Sequence, residues 1–292
     1  GEAQADFGTA DFYENGKLHH EAKYLVLSFP YSNGGFFQLN YGENMECLLE
    51  GLVAIFEHIG GVPTEIWFDN TRTIVTKIIK GGGRNITERF QRFCEHYRIK
   101  PLFMNPESGW EKGNVENKVG YLRRNHLVPI PRFKNLVEQN KRFLVCCETD
   151  MQREHYEDGN GRFIRELFEE DAAHLHPLPS IPFDTANYIT AKTDKYGKFT
   201  LNAGKHCYSA SPAFCESIVN LKITSASAAA RRNSSLPKRT GESPFTVAAA
   251  MSSGRRAETD TCAPMPSSSL PSTLPILPYP QTSVFAPNSV IG

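Results

Sequence analysis

The sequence predicts an α/β fold built on a mixed sheet, and two observations support this prediction. Three apolar runs, separated by turns rich in glycine and asparagine, open the chain and indicate consecutive antiparallel strands. Beyond them, short apolar runs alternate with segments of helical spacing, a pattern typical of strands connected by helices. With 292 residues, 40% of them apolar, the chain is long enough to bury a sizeable core.

The opening part of the chain is predicted to form three strands and a helix. We expect strands over residues 1–8, 24–29 and 36–41, with Asp6 near the end of the first. Apolar residues then recur at helical spacing over residues 44–59, and a glycine pair followed by proline stops that helix.

Strands and helices are predicted to alternate after this helix. A short buried strand over residues 65–68 places Asp69 at its carboxyl end. The pattern then favours a helix over residues 86–99, a strand over 100–104 and a second helix over 111–125. This succession indicates that the opening strands join a larger mixed sheet.

The composition divides the chain into four regions. Residues 1–130 hold the predicted α/β core, and residues 131–182 form a mostly helical extension that prolines close. Strand-like alternation predicts a small β module over residues 183–223. Residues 224–292 are rich in Ser, Pro, Ala and Arg, which predicts a disordered tail. The sudden loss of patterning after Ser225 suggests translation in a shifted reading frame.

Several classes of protein are excluded or disfavoured by composition. Balanced charges, 32 basic and 32 acidic, mean that only local clusters can favour nucleic acid. The chain has neither an apolar run of membrane-spanning length nor a secretory leader, so we expect a cytoplasmic protein, nucleoid-associated when bound to DNA, without a membrane partner. Seven cysteines without ligand spacing argue against a disulfide framework and against structural zinc. Nucleotide hydrolysis has no support, because phosphate-binding glycine motifs are absent.

Three acidic residues, Asp6, Asp69 and Glu116, lie where predicted elements begin or end. If they converge, their oxygens suit hard divalent cations such as Mg²⁺, and two such ions can clamp the attacking and leaving oxygens of a phosphodiester. Each acid taken singly also has an ordinary explanation, as a turn residue or a solvated helix residue.

Basic residues accompany two of these acids. On the predicted helix, Glu116 is preceded by Lys112 and followed by Lys118, Arg123 and Arg124. Arg72 follows Asp69. Such side chains are suited to hold the phosphates of DNA, and the alternative is an ordinary solvated face.

Four histidines prompt a rival metal site, and they are His19, His20, His58 and His96. We reject a histidine metal site. His58 and His96 lie on predicted helices, and neither has a second metal ligand one turn away.

Three segments carry a resemblance to a known family: WFDN, HYRIKPLFMNP and ESGWEKGNVENKVGYLRRNHLVP. Together with the order of elements, they resemble the catalytic core of IstA-type transposases of the insertion sequence 21 family, which are related to DDE transposases and retroviral-type integrases. The resemblance covers about residues 1–223. It implies a ribonuclease-H-like mixed sheet flanked by helices over residues 1–130, followed by a small β-barrel-like module.

The resemblance also implies a site and an activity. Asp6, Asp69 and Glu116 correspond to the catalytic triad, which would hold two Mg²⁺ or Mn²⁺ ions, and the GNVEN context selects Glu116 over Glu107 and Glu111. The implied reaction is metal-dependent cleavage at transposon ends, followed by strand transfer into target DNA. The implied partners are transposon-end DNA, target DNA, further copies of the chain and an ATPase helper protein.

Two other readings stay open at this point. A ribonuclease-H-like nuclease would share the carboxylates but would cut without joining. An inactive DNA-binding remnant would keep the basic residues without any metal dependence. The family's N-terminal helix-turn-helix region is missing before Asp6, so the resemblance predicts a truncated chain.

Overall fold

The computed structural model describes residues 1–69, 74–78, 84–104, 109–156, 161–201, 206–210, 212–225, 227–232 and 247–250. Within these ranges only the backbone is described at residues 75–78, 84–85, 109–114, 206–207, 212, 227–232 and 247–250. None of the described helices is both long enough and apolar enough to cross a membrane.

The elements follow one another in the predicted alternation. The strands are β1 (Glu2–Glu14), β2 (Lys17–Phe29), β3 (Gly34–Asn40), β4 (Glu65–Phe68), β5 (Val75–Ile78), β6 (Arg84–Ile86), β7 (Lys100–Phe103), β8 (Arg132–Phe133), β9 (Asn187–Lys192), β10 (Lys198–Leu201), β11 (His206–Ser209), β12 (Ile218–Ile223), β13 (Ser227–Arg232) and β14 (Val247–Ala250). The helices are α1 (Met45–Ile59), α2 (Glu88–Tyr97), α3 (Gly109–His126), α4 (Leu136–Asp150) and α5 (Ile164–Ala172).

The main sheet has the strand order β3-β2-β1-β4-β7. The first three strands pair antiparallel, whereas β1 with β4 and β4 with β7 pair parallel. Such a mixed sheet needs helical crossovers on its parallel side, and α1 and α2 supply them. The predicted α/β class, a mixed sheet flanked by helices, is confirmed.

Strand β1 is longer than the sequence predicts. It runs to Glu14 instead of ending near residue 8, because its second half pairs with β2 in a hairpin whose turn residues, Asn15 and Gly16, have positive φ. Strands were predicted from apolar runs, and the polar residues in that half of β1 interrupt such a run. Asp6 therefore lies inside the strand, but the parallel pairing with β4 stops at Ala5, one residue before it.

Helices cover both faces of the sheet. Gly51 of α1 lies against Leu25 of β2, where an added Cβ would come within 2.8 Å of that side chain. The other face of β2 carries Tyr24, whose hydroxyl donates to the backbone of α3. Consequently β3 and the second half of β2 are buried on both faces, as the continuous apolar run predicts.

The β module continues beyond its predicted boundary. Strands β9, β12, β13 and β14 form a four-stranded antiparallel sheet, and β10 and β11 form a separate pair, so closure into a barrel stays a prediction. The module has its own apolar cluster around Phe199, Val219 and Leu221. Because β13 and β14 lie beyond residue 223, two described segments of the predicted tail are strands. Residues 226, 233–246 and 251–292 of that tail lie outside the described residues.

The sequence also missed the antiparallel pair β5 and β6. No strand is predicted there, because basic residues and three glycines interrupt the apolar pattern. The glycines, residues 81–83, lie outside the described residues.

Histidine 19 packs as a core side chain. It is 8% exposed and stacks on Phe12 with ring centroids 4.8 Å apart. Burial lowers the pKa of its imidazole, Lys17 lowers it further, and Glu14 opposes both. His19 therefore has the surroundings of a packed core side chain.

We predict that His19 makes the free energy of unfolding depend on pH. Its pKa is lower in the folded chain than in the unfolded one, so the unfolded chain takes up the proton first as pH falls from 7 through 6.5. Wild type should therefore lose stability relative to His19→Phe between pH 7 and pH 5. Urea unfolding of both proteins across that range measures the difference, and a constant difference would contradict the prediction.

Candidate active site

Asp6 and Asp69 come together at the point where β1 and β4 part. The last parallel pair is Ala5 with Phe68; Asp6 is the next residue of β1, and Asp69 directly follows the end of β4. Both acids are half-buried, and both line one small depression between these strands. Neighbouring strands lie about 4.8 Å apart, a spacing at which two carboxylates can share a cation.

Helix α3 crosses the face of the sheet that carries Asp6. On β1 the side chains of Gln4 and Asp6 and the position of Gly8 share one face by alternation. Gln4 accepts a hydrogen bond from the backbone N–H of Val115 at 3.2 Å. At the level of Gly8, a second contact joins α3 to the neighbouring strand. The Asp6 position therefore lies between two points at which the helix is tied to the sheet.

The second tie depends on a glycine. Tyr24 lies opposite Gly8, and its hydroxyl donates to the Val119 carbonyl of α3 at 3.0 Å. A Cβ at Gly8 would lie 2.2 Å from the Tyr24 ring, so the ring crosses β1 only because this residue is glycine. Burial raises the pKa of Tyr24 to about 12, and Asp6 contributes in the same direction. The phenol therefore stays a neutral donor at physiological pH.

Glu116 follows Val115 directly and is exposed. It lies on α3 between Val115 and Val119, the two residues whose backbone is hydrogen-bonded to the sheet on either side of Asp6. Among the described residues, however, no three Asp, Glu, His or Cys side chains are grouped so as to hold a metal ion. The structure thus brings Asp6 and Asp69 together and leaves Glu116 on the adjacent helix.

Lys118 is the one predicted DNA contact that the structure argues against. Its side chain is 4% exposed, and its ammonium donates to the Asn33 carbonyl at 2.5 Å. Burial lowers the pKa of this lysine to about 8, and the nearby Arg153 contributes. The sequence pattern could not show this, because Lys118 enters a space above Gly35 that only the folded β3 creates.

Arg123 and Arg124 remain exposed on the last turn of α3. The positive charge of Arg123 contributes to lowering the pKa of Asp11, whose largest cause is a hydrogen bond from the Glu21 backbone N–H. The other two predicted contacts cannot be placed in this way: the side chain of Lys112 and all of Arg72 lie outside the described structure.

A cavity of about 670 Å³ lies away from the acids, between α1, α4 and β3. Two of the acids that line it are already hydrogen-bonded: Glu14 accepts from Tyr41, and Glu50 accepts from Ser225. Its size alone does not make it the chemical site, and the acid pair between β1 and β4 is the better candidate.

Sequence reasoning missed the residues that place α3, namely Gln4, Gly8 and Tyr24. A signal was present in one of them, because a glycine inside a strand often marks a close approach of another group. Gln4 and Tyr24 gave no such signal.

The chain is similar in sequence to bacterial transposases. It is 34% identical over 139 residues to a transposase of Aminobacter aminovorans, covering 48% of this chain and 27% of that protein. It is 33% identical over 130 residues to a transposase for an IS21-like insertion sequence element of Bacteroides fragilis, covering 44% and 24%. The predicted resemblance to transposases is thereby confirmed, although the chain spans only about a quarter of these relatives. No protein-family model matches the chain.

Solved structures of viral integrases are also similar to the chain. A chain of a simian T-cell lymphotropic virus intasome shares 16% identity at a TM-score of 0.40, covering 78% of this chain and 71% of that one. The HTLV-2 integrase catalytic core domain, in complex with magnesium, shares 14% identity at a TM-score of 0.36, covering 57% and 94%. At such TM-scores these likenesses decide nothing about the site.

We predict that Gly8→Ala destabilises the chain by about 1–3 kcal/mol, because the new methyl group overlaps the Tyr24 ring. Tyr24→Phe should cost about 1 kcal/mol, since it removes only the hydrogen bond to α3. Gly42→Ala is the matched control, because a Cβ there meets no atom within 4 Å. Urea unfolding measures all three variants, and equal stability of the two alanine variants would contradict this account.

Proposed function

We propose that the chain is the catalytic core of a DNA transposase that cleaves transposon ends and joins them to target DNA. The observation that carries the proposal is the pair of acids, Asp6 and Asp69, at the divergence of β1 and β4, with the helix that bears Glu116 tied to the sheet on either side of Asp6. Sequence similarity to bacterial transposases supports the same activity.

In this proposal two Mg²⁺ or Mn²⁺ ions are bound by three carboxylates, those of Asp6, Asp69 and Glu116. The fit rests on the donors, because carboxylate oxygens on adjacent strands match the preference of these cations. When bound, such ions activate a hydroxyl nucleophile and stabilise the leaving oxygen of the phosphodiester. The chain's own contribution is to fix two carboxylates through strand pairing and to supply the third from α3.

Arg123 and Arg124 serve in the proposal as phosphate contacts. Both are exposed at the carboxyl end of the helix that carries Glu116, so DNA held by them would run along α3 towards the acids. Arginine suits this role, because its planar group donates two parallel hydrogen bonds to phosphate.

The proposed partners are transposon-end DNA, target DNA, further copies of the chain and an ATPase helper protein. These follow from the resemblance to the insertion sequence 21 family. A strand-transfer assay on labelled ends separates this activity from that of a nuclease, because a nuclease would release cut ends without joining them.

We predict that Asp69→Asn lowers metal-dependent cleavage at least about a hundredfold while leaving DNA binding unchanged. Changes outside the ligand shell already cost about 10–100-fold in metal sites, so loss of a ligand should cost no less. Glu65→Gln is the matched control, since it removes a carboxylate from the opposite end of the same strand. Cleavage of a labelled transposon end in Mn²⁺ measures both variants, and full activity of Asp69→Asn would refute the assignment.

We also predict that replacing Arg123 and Arg124 together by alanine weakens DNA binding and makes it less dependent on salt. The slope of log K against log salt concentration should fall by about 2, because each phosphate contact contributes about 0.9. Lys141 and Arg142, exposed on α4, provide a control pair of equal charge. Binding titrations between 50 and 200 mM salt measure the slopes, and identical slopes for the two double variants would contradict the role.

A further inference from the structure

Helix α3 is joined to the rest of the core by polar contacts that bracket Glu116. The backbone N–H of Val115 donates to Gln4, and the carbonyl of Val119 accepts from Tyr24. Between them, Lys118 reaches the turn that connects β2 to β3. The two backbone contacts fix the helix against β1 and β2, whereas Lys118 fixes it against a third part of the sheet.

Both the stem and the ammonium of Lys118 make close contacts. Its aliphatic stem lies flat on Gly35 of β3, where an added Cβ would come within 2.8 Å of Lys118 Cδ. Its ammonium then meets the carbonyl of Asn33, a turn residue with a positive φ of 56°. A shift of α3 along its axis by one residue, about 1.5 Å, would break this contact.

A second group of side chains connects the same turn of α3 to the end of α4. Tyr121 donates to Asp150 at 2.5 Å, and Arg153 binds the other oxygen of that carboxylate at 3.3 Å. The Lys118 ammonium and the Arg153 guanidinium both lie over the Tyr121 ring, at 5.4 and 4.5 Å from its centroid. Lys118 thus belongs to a network that holds α3, α4 and the β2–β3 turn in one arrangement.

We infer that Lys118 is a positioning residue, which sets the register of α3 so that Glu116 comes to the level of Asp6 and Asp69. The inference rests on the proposed function, in which these three acids act as one site. It assigns Lys118 no contact with DNA.

Stability alone does not account for a lysine at this place. Burying an ammonium is costly, and apolar side chains of similar volume are often as stabilising or more so. An apolar side chain would tolerate small sliding of the helix, whereas a charged donor with a single acceptor does not. Register is therefore the property that distinguishes lysine from methionine here.

The test uses Lys118→Met, which keeps the length of the stem and removes the donor. We expect it to fold, to exchange the backbone amides of residues 116–120 at least tenfold faster than wild type, and to bind Mn²⁺ at least tenfold more weakly. In a Glu116→Gln background, Lys118→Met should cause no further loss of Mn²⁺ affinity, since it acts through Glu116. Lys141→Met, at an exposed position on α4, controls for the lost charge.

A second variant reaches the same contact without changing charge. Gly35→Ala pushes the Lys118 stem off β3, and we expect the same weakening of Mn²⁺ binding. It decides the question if Lys118→Met fails to fold.

Three results would overturn the inference: wild-type Mn²⁺ affinity and exchange in Lys118→Met, wild-type behaviour of Gly35→Ala where Lys118→Met does not fold, or full additivity of Lys118→Met with Glu116→Gln. Failure of wild type itself to bind Mn²⁺ refutes the proposed function instead. Hydrogen exchange in metal-free protein still reports on the Lys118 contact in that case.

Discussion

The structure depends on β1 having two kinds of partner. Along most of its length β1 pairs antiparallel with β2, and over its first residues it also pairs parallel with β4. The parallel ladder ends at Ala5 while β1 continues, so the strands diverge just where Asp6 and Asp69 follow. Because strand register fixes which side chains face which side, a slip of one residue would turn Asp6 to the opposite face.

The third acid is held by a different kind of force. Backbone hydrogen bonds of the sheet fix the positions of Asp6 and Asp69, whereas the packing of a helix fixes the position of Glu116. Helices slide more easily on a sheet than strands do within it, because apolar contacts are not directional. The contacts to Gln4, Tyr24 and Asn33 supply the direction that apolar packing lacks.

Much of the fold could be predicted because its signals are local. The strand Glu65–Phe68 was predicted to the residue, since a short apolar run lies between clear turn signals. Helix α1 was predicted as well, and its cap is visible in the sequence: Asn44 accepts a hydrogen bond from the Cys47 N–H. The second half of β1 was not predicted, because its sequence pattern is polar and it depends on pairing with β2. Lys118 was misjudged for the same physical reason, since its environment is made by Gly35, which is distant in sequence.

Electrostatics explains why two acids are paired and the third stands apart. Two like charges 4 Å apart repel by about 4 kcal/mol near a protein surface, so a third carboxylate adds two further repulsions of this order. The sheet cannot yield to that repulsion, because moving Asp6 or Asp69 would break the pairing of β1 with β4. Helix α3 is the element able to yield, and its polar ties limit how far it moves. In the proposed site, the free energy needed to gather the three carboxylates would thus be borne mainly by α3, and the affinity for a cation would depend on how firmly that helix is held.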